Sequence, residues 1–457
     1  MCASNQSTGL IVGSGKKAAL CAVLVSSSLV VGLVLYFSPT GVPPQPDPVE
    51  DIYNLWVATY SHDVLDSWVS VVECQQGGFV LACSSGDLRV RIIRVDDGGN
   101  ATWERYLTEG GHTEVRDLYE CQNGDLVMTG FRVVSESQTR DNPRLWLLRM
   151  GQNGTVLWEK LHPGFDTGAC VVECRNGDLV VAASFSHLVR LDSEGNVLWN
   201  RTYSGGEASW ASCVVECEDG GLAFAGSADV NPNQGTIEYG AWLVRTDADG
   251  VKLWDMTWGY HGWYCWSVTN CSDGGFALAG ESGNPREFRI ARTSADGSVL
   301  WDRTYCRGYA RTVVETRDGG LAVTGTLAND STYAHHEAFF VRTDALGNPL
   351  WSSIASGPDE ERVCSLSVCM SGDFVVAGIT RHDNMCFPFL WRLADSDVPA
   401  SDSVTTEIPA PPNTKPALTY AAPAPSKASA TSLRCDWEAL WAALNPMTRV
   451  RFLASVL

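Results

Sequence analysis

The chain has 457 residues, of which 45% are hydrophobic and 17 are tryptophan, and its formal charge is −20. That balance argues against nucleic acid or an anionic lipid surface as a partner, because phosphates are repelled. The 16 cysteines include no Cys-x-x-Cys pair, which argues against zinc-ribbon chemistry.

Residues 1–17 are polar and end in Lys16 and Lys17. The next twenty residues, 18–37, carry no charge, a length that matches a single transmembrane helix. The nearest downstream basic residue is Arg89, so the positive-inside bias predicts a signal-anchor, with residues 1–17 cytoplasmic and the remainder extracytoplasmic. A cleaved signal peptide competes with this reading, although no clear small-x-small site precedes Ser38. Residues 38–50 hold five prolines and read as a stiff spacer.

Residues 51–395 are a repeat. Trp56, Trp103, Trp158, Trp199, Trp254, Trp301 and Trp351 recur at intervals of 47, 55, 41, 55, 47 and 50 residues. Each unit offers four short strands. The first ends at Cys74, Cys121, Cys174, Cys217, Cys271, Thr316 or Cys369, and a glycine follows three residues later in every copy, as a tight hairpin turn requires. A second glycine, from Gly99 to Gly347, stands four residues before each tryptophan except Trp56. The array thus begins one strand early, and it ends one strand short after Leu390–Leu393. Closure of a ring by the N-terminal strand resolves both defects. The expected fold is all-β, a seven-bladed β-propeller of four-stranded blades closed by that strand, with one N-terminal transmembrane helix.

The pieces LDSEGNVLW, TDADGVKLW and TSADGSVLW, with the run VVECEDGGLAFAG, resemble the repeats of PQQ-like (quinoprotein-type) β-propellers, in particular non-catalytic surface propellers of prokaryotes. The resemblance covers about three quarters of the chain and implies the propeller fold. From Asp247, Gly250 is three residues on and Trp254 seven, one residue tighter than the quinoprotein docking repeat. No catalytic residue, metal ligand or cofactor is carried over from the family.

Tight turns alternate with variable connections, so the variable ones share one face. They are long at residues 131–143, 229–240 and 327–337, and recognition usually lives on such loops. The least repetitive stretch, WGYHGWYCW, supplies the candidate ligand-binding residues Trp258, Tyr260, His261, Trp263, Tyr264 and Trp266, with packing between blades as the plainer role for the same aromatics. The recurring glutamates Glu73, Glu120, Glu173, Glu216 and Glu315 read as structural, since a catalytic pair is unique rather than copied. The recurring cysteines read as small apolar core positions, because equivalent residues of neighbouring blades usually lie beyond disulfide reach. Disulfides with Cys83, Cys265, Cys306, Cys364 or Cys386 stay open. The turn at Asp247–Gly250 reads as a hairpin rather than a calcium loop. Asn100, Asn153, Asn200, Asn270 and Asn329 head glycosylation triplets.

Residues 396–431, rich in Pro, Ala, Ser and Thr, read as a disordered linker, and 432–457 as a short amphipathic tail. The expected function is a membrane-anchored module that binds a protein or a carbohydrate. The competing classes are a propeller enzyme, carbohydrate-active or quinoprotein-like, and a structural surface-layer component.

Overall fold

The computed structural model describes residues 18–26, 29–37, 54–61, 64–85, 88–107, 112–137, 140–205, 209–230, 238–259, 262–283, 286–328, 336–356, 360–382, 385–395 and 404–407. Two compact units divide the chain after Ile52. In the first, Ala18–Ser26 and Leu29–Phe37 pair as antiparallel strands, with Ala18 opposite Phe37. The helix expected over residues 18–37 is therefore corrected to a strand pair. Five valines favour extended backbone, and three successive serines, residues 26–28, break the apolar run at its middle. Among the described residues no helix is long and apolar enough to cross a membrane. The expectations for residues 1–17, 38–50 and 432–457 lie outside the described residues.

The second unit is built from four-stranded antiparallel sheets. One comprises Thr113–Glu120, Leu126–Ser137, Arg140–Met150 and Val156–His162. The next comprises Gly168–Glu173, Leu179–Ala183, His187–Leu191 and Val197–Thr202, and Ser209–Glu216, Leu222–Asp229, Tyr239–Thr246 and Lys252–Trp258 repeat the pattern. Two further sheets are joined by one long strand, Val299–Glu315. Up to Arg307 it pairs with Glu287–Thr293, and from Gly308 it pairs with Leu321–Ala328. Val64–Glu73, Phe79–Ser85, Val90–Val95 and Ala101–Leu107 follow the same order.

Glu360–Val368, Phe374–His382 and Met385–Leu393 need a fourth strand, and Asn54–Thr59 supplies it, with Leu390 opposite Ala58. The strand that begins the array thus completes its last sheet, as the mismatched ends of the repeat require. The first strands touch in a cycle. Val64–Glu73, Thr113–Glu120, Gly168–Glu173, Ser209–Glu216, Tyr264–Asn270, the second half of Val299–Glu315 and Glu360–Val368 follow one another, and the last touches the first.

Sheets stack face to face. Val80, Ala82 and Ile92 of one pack with Met128, Trp146 and Leu148 of the next. A second strand such as Leu222–Asp229 is consequently buried at every residue and reads as a continuous apolar run, whereas the outermost Val197–Thr202 is mostly exposed.

Three repeated side chains tie each sheet to the next. All the repeat tryptophans but Trp351 cover a turn glycine of the following sheet: a Cβ on Gly250 would stand 2.7 Å from Trp199, and one on Gly347 2.8 Å from Trp301. The indole N–H of Trp158 donates to Ser193 O at 3.1 Å and that of Trp301 to Ala345 O at 3.2 Å. The recurring glutamates accept backbone N–H groups across the same boundary: Glu173 from Gln122 at 2.6 Å, Glu216 from Arg175 at 2.9 Å and Glu315 from Ser272 at 2.7 Å. Arginines of the third strands are the third tie. Arg190 donates to its own turn at Asp178, 2.9 Å, and to Ala248 O of the next sheet, 2.8 Å.

The cysteines that end the first strands are buried, and burial pushes the Cys74, Cys121 and Cys174 thiols up to about 12. They keep the apolar core position expected of them, whereas the separation expected of equivalent residues in neighbouring sheets fails four residues earlier in two strands. Cys170 and Cys213, equivalent residues of neighbouring sheets, have sulfurs only 3.7 Å apart, because first strands crowd together at the centre of the cycle. Asp247 accepts N–H bonds from Asp249 and Val251 at 3.0 and 2.8 Å, a closed hairpin turn. Asn270, one of the triplet asparagines, donates to Glu216 O at 2.6 Å in place of the repeated glutamate. Within residues 396–431, expected to be disordered, Val404–Glu407 is corrected to a strand lying parallel to Pro349–Ser356. Its β-branched Val-Thr-Thr run suits an open sheet edge.

Candidate functional site

The first strands carry β-bulges at a repeated place. Pairing skips Arg116 between Val115 and Asp117, Ser212 between Ala211 and Cys213, Trp266 between Cys265 and Ser267, Arg311 between Ala310 and Thr312, and Cys364 between Val363 and Ser365. In the strand Val64–Glu73 the irregularity falls earlier, between Val64 and Val69, and includes Trp68. The second strand makes room with glycine. A Cβ on Gly226, Gly280 or Gly325 would meet the partner strand's carbonyl oxygen at 1.8, 2.0 or 2.1 Å. A bulge re-aims one side chain, and here it does so on the strands closest to the centre of the cycle.

Short polar side chains one residue further on stitch those strands together. Asp117 accepts the Val171 N–H at 2.8 Å, Ser267 the Val313 N–H at 3.2 Å, and Ser365 the Val71 N–H at 3.3 Å. Asp117 is the acidic member of this set, and burial pushes its carboxyl up to about 6, opposed by the N–H groups of Val171 and Leu118.

The re-aimed side chains are aromatic and cationic. The Arg311 guanidinium lies 4.7 Å from the Trp266 ring, 4.8 Å from Tyr309 and 5.0 Å from Trp68. Arg116 lies 5.7 Å from the other side of the same cluster at Trp68, and 3.3 Å from Glu114. Beside Trp266, Tyr264 stacks at 6.5 Å and 19°, and Trp210 stacks on Tyr264 at 5.6 Å and 15°. Tyr239 closes the group, 4.7 Å from Trp210 and 5.5 Å from Tyr264. Trp210, Tyr239, Tyr264 and Trp266 are all partly exposed.

The candidate stretch is therefore split. Trp263 is fully buried, edge-on to Trp258 at 5.5 Å and covered by the Arg289 guanidinium at 4.4 Å, so these two pack between sheets. Tyr264 and Trp266 belong to the aromatic surface. Tyr260 and His261 lie outside the described residues. Trp68, Arg116, Trp210, Tyr239 and Arg311 were not singled out from the sequence. The glycine inside each LAFAG-type strand is the signal that marks the bulge opposite, and hence the residue it re-aims.

Other charges near this end are spent on one another. Glu360 accepts from His336, from Arg362 at 2.7 Å and from Arg381 at 2.8 Å, and these partners outweigh burial to hold its carboxyl below the usual range. Among the described residues no cluster of three or more His, Cys, Asp or Glu side chains is placed to hold a metal ion.

No family model matches the chain, and no curated protein matches it. Solved structures do. The WD40 β-propeller domain of Doa1 is 15% identical, with a TM-score of 0.51 over 76% of this chain and 98% of that domain. BamB from Moraxella catarrhalis is 12% identical, with a TM-score of 0.42 over 72% of this chain and 86% of that one. A protein of unknown function from Bacteroides caccae is 16% identical, with a TM-score of 0.40 over 60% of this chain and 92% of that one. Four-stranded antiparallel sheets, stacked in sequence order, define the class: the chain has the β-propeller fold.

Proposed function

We propose that the chain is a seven-bladed propeller that serves as a binding or scaffolding module, holding a protein or carbohydrate ligand on its variable-loop face. The carrying observation is the partly exposed aromatic group Trp210–Tyr239–Tyr264–Trp266. Aromatic side chains are costly to leave at a surface and are enriched where ligands dock. The residues sit where first strands leave the variable connections, on a scaffold fixed by inter-sheet ties.

The propeller lies on the extracytoplasmic side of a membrane, anchored by residues 18–37. Their lack of charge supports this.

The test is a glycan-and-peptide array probed with the full chain, with Trp266→Ala and Tyr264→Ala, and with Trp263→Ala as a packing control. Binding that is lost in the first two variants with near-ultraviolet circular dichroism intact supports the reading. An array left blank by the wild-type chain, or binding untouched by both variants, overturns it.

A further inference from the structure

We propose that the centre of the ring binds the carboxylate of an acidic peptide, which enters end-on from the variable-loop face and is held by Arg311. The proposal rests on the binding-module reading above and names the ligand class.

Arg311 is held by rings from three strands, Trp266 at 4.7 Å, Tyr309 at 4.8 Å and Trp68 at 5.0 Å. The strands of Arg311 and Trp68 are not neighbours in the cycle, since Glu360–Val368 stands between them. Their side chains therefore meet across the centre and not along a sheet. A guanidinium held against aromatic faces keeps its N–H fork free for a planar acceptor, the geometry that matches a carboxylate.

Among the described residues no carboxylate hydrogen-bonds Arg311. Glu281 feels its charge, but its carboxylate oxygen lies 3.2 Å from Arg286 Nε. Other arginines are occupied: Arg289 by Asp302 at 2.6 Å, Arg91 by Glu104 at 3.0 Å and Arg116 by Glu114 at 3.3 Å. Arginines that lack a carboxylate are spent on backbone or amide oxygens instead, Arg303 on Asn348 at 2.9 Å and Arg317 on Met370 O at 2.6 Å.

The occupant follows from shape. With Arg311 and Trp68 meeting across the centre at 5.0 Å, the site suits a chain end or a single side chain and not a folded polyanion. The aromatic faces of Tyr264, Trp210 and Tyr239 flank it and suit the apolar residues that accompany an acidic one in a peptide.

The test is fluorescence anisotropy with the full chain at fixed salt. The probe is a fluorescein-labelled pool of Gly-Trp-Xaa-Glu-Glu peptides with free carboxyl termini, and its counterpart is Gly-Trp-Xaa-Gln-Gln amides. The acidic pool is expected to bind at least tenfold more tightly than the amide pool. Arg311→Gln is expected to abolish that difference at an unchanged melting temperature, whereas Lys252→Gln leaves it intact. If Arg311→Gln does not fold, Arg311→Lys, which keeps the charge and loses the fork, is expected to weaken the acidic pool severalfold. Equal binding of the two pools, no binding, or a folded Arg311 variant with wild-type affinity overturns the proposal. Displacement by inorganic phosphate at lower concentration than by acetate overturns the carboxylate assignment. Array ligands still bound by a chain blind to the acidic pool leave the module reading standing without this site.

Discussion

The carboxylate of Glu73 accepts the backbone N–H of Met370 at 2.5 Å across 297 residues of sequence. It is the same tie that joins Glu173 to Gln122 at 2.6 Å, used once more where the two ends of the array meet. The Arg392 side chain bonds Asp97 O at 3.1 Å over the same boundary, and Trp56 donates to Asp97 O at 3.0 Å. If the closing boundary is equivalent to the others, Glu73→Ala and Glu173→Ala leave the same kind of donor unpaired. Each is expected to cost about 0.5–1.5 kcal/mol in urea unfolding, the net worth of one hydrogen bond. A neutral Glu73→Ala beside a costly Glu173→Ala would mean that the ends do not hold each other.

The turn glycines separate backbone strain from crowding. Gly177 and Gly250 have φ of +86° and +74°, but a Cβ on Gly177 meets nothing within 4 Å and one on Gly250 meets Trp199 at 2.7 Å. Gly177→Ala is expected to cost about 1–2 kcal/mol, the price of a left-handed alanine. Gly250→Ala is expected to cost about 1–3 kcal/mol more, as the indole must shift. Thermal or urea unfolding of the two variants measures the difference, and equal costs would remove the Trp199 contact from the account.

Asp117 gives a pH signature of definite sign. Its carboxyl is raised to about 6 from an ordinary 3.8, so the folded chain binds this proton more tightly than the unfolded chain does. Its stabilising contribution is complete below about pH 4 and is lost as pH rises through about 6. Asp117→Asn keeps an acceptor for the Val171 N–H and removes the titration. Relative to wild type, the variant is expected to gain about 1–2 kcal/mol between pH 4 and 7, less than the full shift implies because Asp117 keeps some exposed surface. A constant difference across that range would contradict the burial of this charge.

Much of the fold was legible because each repeat carries its own punctuation. The glycines three residues after Cys217 and four before Trp254 are turn glycines at φ +82° and +74°, and the unmatched Trp56 strand does pair with Leu390. The centre was less legible. Arg311 and Trp68 lie far apart in sequence, and their meeting depends on a bulge whose sequence trace is one glycine, Gly325, in a strand read only as small and apolar. Trp263 and Trp266 look alike in the sequence, yet one fills the gap between sheets and the other joins the exposed aromatic group, because the bulge falls between Cys265 and Ser267. Residues 18–37 show the opposite limit: their lack of charge is visible, but it does not by itself choose between a helix and the strand pair found.

Thiol chemistry reports on the cysteine positions. Burial raises the thiols of Cys74, Cys121, Cys174 and Cys369 to about 12, and the thiolate is the reactive form. These four are expected to stay unmodified by a maleimide at pH 7.5 in the native chain and to react fully in guanidinium, as peptide mass mapping would show. Labelling of native Cys174 at the rate of an exposed thiol would contradict its core position.

The most direct measurement is amide hydrogen exchange at Met370, by nuclear magnetic resonance on wild type and Glu73→Ala. A closed ring predicts that the Met370 N–H is protected to a degree similar to Gln122 and Ser272, whose N–H groups meet the equivalent glutamates, and that Glu73→Ala removes about tenfold or more of that protection, the loss expected for a bond of about 1.4 kcal/mol. A Met370 amide that exchanges as an unprotected one in the wild type, or that ignores Glu73→Ala, would contradict closure and with it the shared centre on which the binding reading depends.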